Sequence, residues 1–177
     1  MAASPPLFPL VFHRQSLQLP GVTKKSEPAA ASPLLIIGYG NVLRHDDGVG
    51  PKVAEAVEAL HLPGVRTLAC PQLSPEHAEP ISQSHTVVFV DAAVDAPVEV
   101  QLRKLEPGES TQLMAHAADP RTMLALARDV FGHAPEEAWW LTIPAVKLGF
   151  GEDLSPQAQH GLAQAVEKIK ALRRGGD

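Results

Sequence analysis

The stretch LLIIGYGNVLRHDDGVG, residues 34–50, decides the fold class of this chain. It opens with an uninterrupted apolar run that ends at Gly38, a pattern typical of a strand buried on both faces of a sheet. A polar loop follows, and the apolar spacing then becomes helical, with one face formed by Val49, Val53, Ala56, Val57 and Leu60. A buried strand followed by a loop and a helix predicts an α/β domain with a parallel sheet.

The same two patterns recur along the rest of the chain. Strands are predicted at VRTLA (65–69), TVVFVD (86–91), VEVQLR (98–103) and WWLTI (139–143), and helices are predicted after Ser74, Asp119 and Ser155, each followed by proline. The helix after Asp119 is predicted to face the core with Met123, Leu124, Ala127, Val130 and Phe131. VEVQLR alternates apolar with polar residues, and its link to the strand before it is too short for a helical crossover. The order β-α-β-α-β-β-α-β-α therefore predicts a three-layer α/β/α domain with a mostly parallel sheet and one antiparallel edge strand.

Length and composition exclude several classes of protein. The 177 residues fit one domain, and we place it at residues 34–174. Residues 1–33 contain six prolines without helical or strand periodicity, and we predict that this extension is disordered. The net charge is −5 and the sequence has no basic cluster, so it does not indicate the positively charged surface that binds nucleic acid. No apolar run approaches the roughly 20 residues of a membrane-spanning helix. Cys70 is the single cysteine, so no internal disulfide is possible and a cytoplasmic location is expected.

Polar residues at the carboxyl ends of the predicted strands identify a candidate site. Asp46 and Asp47 follow the first strand, Asp91 ends the third, and His116 precedes the helix that begins after Asp119. Ligand sites in open α/β sheets lie at this edge. Carboxylates combined with an imidazole can bind a divalent cation such as Ni, Zn, Mn or Fe and leave positions open for water or substrate. This chemistry indicates metal-assisted hydrolysis or general-base catalysis by a carboxylate.

Each of these residues also has a purely structural interpretation. Asp46 and Asp47 could shape a turn and cap the helix that begins near Gly48, and Asp91 could be a second cap. His116 is one of eight histidines, most of which we expect on the surface. The surface interpretation is given to the histidines without a partner at a strand end, namely His45, His77, His85, His133 and His160.

Two other functional classes find little support in the motifs. GYGNVL supplies the first two glycines of a dinucleotide-binding G-x-G-x-x-G, but Leu43 occupies the third position, and the two aspartates beyond it would repel a pyrophosphate. A nucleophilic serine would need a G-x-S-x-G elbow, which the sequence lacks. Cys70 is followed by Pro71 rather than by a helix N-terminus that would lower its pKa.

The segment IIGYGNVLRHDDGVG, residues 36–50, resembles the N-terminal signature of the [NiFe]-hydrogenase maturation endopeptidases. That signature is a strand, G-x-G-N, a short linker and D-[DE]-x-x-G before a helix. The resemblance continues through VFVDA (88–92), through the histidine ahead of the helix after the edge strand, and through LSP (154–156) at the last helix. It spans residues 34–172, almost the whole predicted domain.

The resemblance implies a five-stranded sheet and a set of metal ligands. Carried over by position, the ligands are Asp47, Asp91 and His116, with aspartate at the first position where some members have glutamate. We also include Asp46 among the catalytic candidates, because it could assist a metal-polarised carbonyl or water. The resemblance further implies that the metal is nickel held by the substrate, so that these residues sense it rather than keep a permanent ion.

The implied substrate is the nickel-loaded precursor of a [NiFe]-hydrogenase large subunit, from which a C-terminal peptide is removed. The loop CPQLSPEHAEP (70–80), with Gln72 at its centre, resembles the form found in proteases that serve bidirectional, NAD-linked hydrogenases. Two alternative functions stay open at this point. One is a non-proteolytic nickel-binding assembly factor, and the other is a different metal-dependent hydrolase on a similar α/β/α scaffold.

Overall fold

The computed structural model describes residues 32–94, 99–108 and 119–175. Most of the predicted N-terminal extension lies outside this range. Ser32 and Pro33, the last two residues of that extension, belong to the first strand instead. The first strand thus begins two residues before the predicted start of the domain.

Strands and helices alternate in the predicted order. The strands are β1 (Ser32–Tyr39), β2 (Val65–Cys70), β3 (Ser84–Ala93), β4 (Gln101–Lys104) and β5 (Glu137–Pro144). The α-helices are α1 (Val49–Glu58), α2 (Ala78–Ser82), α3 (Pro120–Phe131) and α4 (Pro156–Gly175). Single 3-10 turns lead into α1 at His45–Gly48 and into α2 at Pro75–His77.

The five strands form one sheet in the order β2-β1-β3-β5-β4. The first four strands of this order are parallel, and β4 pairs antiparallel with β5 at the edge. The predicted fold class is therefore confirmed, including the antiparallel edge strand. The edge strand begins at Gln101, later than predicted, and it pairs with β5 rather than with β3, which precedes it in the chain.

Helices cover both faces of the sheet and create two separate cores. On one face, α1 and α4 pack against the even-numbered residues of β1, with Ile36, Val49 and Ile169 fully buried. On the other face, α2 and α3 pack on the odd-numbered residues, with Ile37 and Met123 buried. Burial of a side chain of this size contributes about 1.5–3 kcal/mol. The alternation of β1 between two apolar faces explains why its sequence is apolar without a break.

The first turn of α1 lies unusually close to the sheet. A side chain at Gly38 would overlap the carbonyl oxygen of Gly50, and one at Gly50 would overlap the carbonyl oxygens of Tyr39 and Val90. Only glycine at both positions allows this approach. The result is that the loop between β1 and α1 lies directly above the carboxyl ends of β1 and β3.

Two helices differ in detail from the prediction. Helix α1 ends at Glu58, and Leu60, predicted on its apolar face, is exposed. Val130 and Phe131 of α3 were also predicted to face the core, but they are 63% and 47% exposed. The buried residues of α3 stop at Ala127, so its last turn contributes no residue to the core.

Candidate active site

Five side chains form a line across the carboxyl edge of the sheet, one from each strand. We call this line the polar row: Cys70 (β2), Tyr39 (β1), Asp91 (β3), Thr142 (β5) and Gln101 (β4). The strand registers pair Tyr39 with Cys70, Asp91 with Thr142, and Thr142 with Gln101. Gly38 of β1 pairs with Val90 of β3, so the next residues of these parallel strands, Tyr39 and Asp91, lie side by side. Residues paired across strands project from the same face. The polar row therefore borders the crevice on the side of α2 and α3.

Asp91 lies at the centre of the polar row and is half-buried. Burial raises its pKa to about 6, the charge of Asp47 adds to this effect, and hydrogen bonds from the Tyr39 hydroxyl and the Ala92 backbone oppose it. Burial also raises the pKa of Tyr39, as does the charge of Asp91. Tyr39 is thus a neutral donor to Asp91, and Asp91 can exchange a proton close to neutral pH.

Asp47 reaches the same place from the 3-10 turn after β1. Its carboxylate accepts a hydrogen bond from the Asn41 backbone N–H at 3.0 Å, and it is near enough to Asp91 to raise the pKa of that group. It does not cap α1, because the N-cap of that helix is Gly48 and no side chain caps it. Two predicted site carboxylates, 44 positions apart in the sequence, therefore meet at one edge of the sheet.

Asp46 has the opposite environment from its neighbour. Its side chain is fully buried and accepts hydrogen bonds from the backbone N–H groups of Val146, Lys147 and Ser155 at 2.7–2.9 Å, and from the Ser155 hydroxyl at 2.8 Å. Burial alone would raise the pKa of Asp46, but these hydrogen bonds outweigh it and lower the pKa. Asp46 stays ionised and ties the β1–α1 loop to the β5–α4 loop.

His45 continues this contact between the two loops, and its predicted surface position is wrong. The side chain is only 8% exposed, its backbone φ is 52°, and its ring covers Gly151. The backbone N–H of His45 donates to the Gly151 carbonyl at 2.6 Å, and the ring Nδ1 lies 2.9 Å from the Asp153 carbonyl. A sequence cannot show that a loop more than 100 residues away covers this ring.

The other four histidines that were predicted at the surface divide into two groups. His77 is half-buried, and its Nδ1 accepts the Ser74 backbone N–H at 2.9 Å in a capping box, so the surface prediction is wrong for this residue too. Exposure is confirmed for the other three, which are His85, His133 and His160.

His116 lies outside the described residues, so its predicted role as a ligand stays a prediction. Asp119, three positions later, caps α3 by accepting the Arg121 N–H at 2.9 Å, and its charge acts on Tyr39. The chain therefore enters α3 next to the polar row. Among the described residues, no three His, Cys, Asp or Glu side chains are arranged to hold a metal ion. Asp47 and Asp91 supply two oxygen ligands of the kind that divalent cations accept.

Sequence analysis did not identify Tyr39 or Thr142 as site residues. Thr142 is 5% exposed, and its hydroxyl has no hydrogen-bond partner within the described part of the chain. The Trp140 indole N–H interacts with the Tyr39 hydroxyl and lowers its pKa, although the two groups do not meet hydrogen-bond geometry. For Thr142 the sequence did contain a signal, because its hydroxyl stands inside the otherwise apolar strand WWLTI. A buried polar group normally has a partner, so such a residue is a candidate for a site.

The other site classes remain unsupported. Leu43, at the position of the third dinucleotide-binding glycine, is 55% exposed and does not pack between helix and strand. Cys70 is half-buried, and burial raises the pKa of its thiol, the reverse of what an activated nucleophile needs. Within the described ranges, no helix is long and apolar enough to cross a membrane.

Several solved structures similar to this chain are hydrogenase maturation proteases. The hydrogenase maturating endopeptidase HybD from E. coli is 22% identical with a TM-score of 0.64, over 81% of this chain and 93% of that one. The [NiFe] hydrogenase maturation protease HybD from Thermococcus kodakarensis is 26% identical with a TM-score of 0.60, over 78% and 97%. The protease HycI from Thermococcus kodakarensis KOD1 is 22% identical with a TM-score of 0.61, over 78% and 90%.

No protein-family model matches the chain, and no curated protein matches it significantly. The resemblance to this family drawn from residues 34–172 is nevertheless confirmed by the solved structures, which align along most of the chain. This chain has the fold of the [NiFe]-hydrogenase maturation endopeptidases.

Proposed function

We propose that this chain is a cytoplasmic endopeptidase that removes a C-terminal peptide from the nickel-loaded precursor of a [NiFe]-hydrogenase large subunit. The observation that carries this proposal is the meeting of Asp47 and Asp91 at the carboxyl edge of the sheet. They are two of the three ligand positions that the resemblance assigns, and the chain shares its fold with a [NiFe] hydrogenase maturation protease from Thermococcus kodakarensis.

In this proposal the nickel belongs to the substrate, and Asp47, Asp91 and His116 recognise it. Two carboxylates and one imidazole suit a divalent cation that keeps other ligands from its own protein. Nickel bound in this way would supply Lewis acidity at the scissile peptide. Because its ligands are shared between enzyme and precursor, cleavage would depend on prior insertion of nickel.

Asp91 and Asp46 have different roles in the proposed reaction. In the free protein the pKa of Asp91 is about 6, so near neutral pH its carboxyl group can lose its proton and become available to the cation of the substrate. The four hydrogen bonds that the Asp46 carboxylate accepts all come from the β5–α4 loop. We therefore assign Asp46 a positioning role that supports Asp47, rather than contact with the reacting atoms.

The test is cleavage of purified precursor with and without nickel, followed by mass spectrometry of the large subunit. We expect processing of the nickel-loaded form only, and no cleavage of generic peptides. Asp47→Ala, Asp91→Ala and His116→Ala should each abolish processing while circular dichroism shows an intact fold. Glu58→Ala, an exposed change at the far end of α1, is the matched control. Full activity of the His116 variant would remove it from the proposed set of ligands.

The same experiment separates the alternatives. A nickel-binding assembly factor would bind the precursor without changing its mass, and a strain lacking this chain would still contain a mature large subunit. A general hydrolase would cleave unrelated peptides. Precursors from several hydrogenases would also test the preference for a bidirectional, NAD-linked enzyme, which rests on the exposed loop around Gln72.

A further inference from the structure

Thr142 presents a buried hydroxyl to which no described residue of the chain is hydrogen-bonded. The residue is 5% exposed, and its Oγ1 has no hydrogen-bond partner among the described residues. An unpartnered buried polar group destabilises a folded protein, whereas valine has nearly the same shape and strand preference without this cost. A hydroxyl at this position therefore indicates a partner that is engaged in another state of the molecule.

The neighbours of Thr142 in the polar row limit what that partner can be. On one side is Gln101, whose amide nitrogen donates to the Glu99 carbonyl at 3.2 Å. On the other side is Asp91, paired with Thr142 in the register of β3 and β5 and projecting from the same face. Asp91 is the one charged acceptor of the row, and hydrogen bonds to charged groups are the stronger ones.

Apart from the Ala92 backbone of its own strand, Asp91 has a donor from only one of the two neighbouring strands among the described residues. Tyr39 of β1 donates to it, while on the β5 side the Thr142 hydroxyl is free among the described residues. A carboxylate that must face a cation or a reacting group is best held from both sides, because outer-shell partners fix its orientation.

We propose that Thr142 is a positioning residue for Asp91, whose carboxylate accepts the Thr142 hydroxyl when substrate occupies the crevice. Asp91 is then held between hydroxyl groups from the two neighbouring strands, Tyr39 and Thr142. This inference rests on the proposed peptidase function, because it assumes that Asp91 acts on the substrate.

The test is Thr142→Val, measured for both stability and processing. The free protein should unfold a few degrees higher than wild type, because the change removes an unpartnered buried hydroxyl. Processing of nickel-loaded precursor should nevertheless fall about 10–100-fold in kcat/KM, the usual range for loss of an outer-shell partner. A residue with a merely structural role would lose stability and activity together.

Two further variants make the outcome decisive. Thr142→Ser keeps the hydroxyl and should restore most of the activity, even though it loses a methyl group and some stability. Thr86→Val makes the same chemical change near the start of β3, at the opposite end of the sheet, and should leave processing unchanged. Wild-type activity of Thr142→Val, or a clear loss of its stability, would overturn the proposal. Failure of the wild-type protein to process any precursor would instead refute the proposed function.

Discussion

Asp46 and Asp47 are consecutive residues with different roles, and their surroundings rather than their chemistry make the difference. Asp46 is fully buried and accepts four hydrogen bonds from the β5–α4 loop. Asp47 is half-buried, accepts one backbone N–H, and shares the crevice with Asp91. At the scale of single residues, the pair thus combines a fixed support with a group that is available to a ligand.

The buried carboxylate gives a first prediction. Asp46→Asn should lower the free energy of unfolding by about 2–3 kcal/mol, because the amide nitrogen would face backbone N–H donors that lose their acceptor. Asp47→Asn keeps an acceptor for the Asn41 N–H and should cost under about 1 kcal/mol. Urea denaturation of both variants measures the difference. Equal stability of the two variants would contradict the supporting role of Asp46.

Asp91 gives a prediction about pH. Its folded-state pKa of about 6 lies above the ordinary value of 3.8, so the folded protein favours the protonated side chain. The stability that this preference gives is complete below about pH 4 and is lost as pH rises through 6. Asp91→Asn removes this loss. The variant should therefore exceed wild type in unfolding free energy by on the order of 1–3 kcal/mol at pH 7.

Denaturation across pH 4 to 8 would measure this effect. The two proteins should have similar stabilities at pH 4 and diverge between pH 4 and 7. A difference that stays constant over this range would show that ionisation of Asp91 does not cost stability in the folded protein.

At the scale of elements, the contact between α1 and the sheet sets the position of the site. Gly50→Ala should destabilise the protein by more than about 3 kcal/mol. The added methyl group overlaps the backbone carbonyl oxygens of Tyr39 and Val90, which can move only if the strands or the helix move with them. Gly149→Ala is the matched control, since nothing lies within 4 Å of its added Cβ. Thermal unfolding compares the two, and a normal melting temperature for Gly50→Ala would mean that α1 can shift away from β1.

The elements were largely predictable from local patterns, and the site was predictable in part. Apolar runs and Ser-Pro or Asp-Pro caps located the strands and helices, because these signals are contained within a few neighbouring residues. The carboxyl-edge rule placed Asp47 and Asp91 at the same edge of the sheet, where the charge of Asp47 raises the pKa of Asp91, and their role there stays a prediction. His45 and Thr142 could not be found in this way, because their environments come from strands and loops distant in sequence.

At the scale of the whole molecule, Cys70 provides a natural probe of the crevice. It ends β2 beside Tyr39, it is half-buried, and it is the single cysteine of the chain. Alkylation should be slow in the free protein, because burial raises the pKa of the thiol. Bound precursor should slow it at least several-fold further, since the substrate would cover the polar row.

Mass spectrometry of the peptide that contains Cys70, after timed treatment with iodoacetamide, measures this protection. A nickel-free precursor is the control, and it should protect less. Unchanged alkylation with saturating nickel-loaded precursor would mean that the substrate binds away from this edge of the sheet.

The carboxylate of Asp46 also bears on when the enzyme becomes active during its own synthesis. Its partners lie 100 to 109 positions later in the chain, so the contact closes only after β5 and the start of α4 have emerged. Contacts between such distant segments form late in folding. A nascent or partly folded chain would therefore lack the contact that holds the β1–α1 loop, and with it Asp47, above the edge of the sheet.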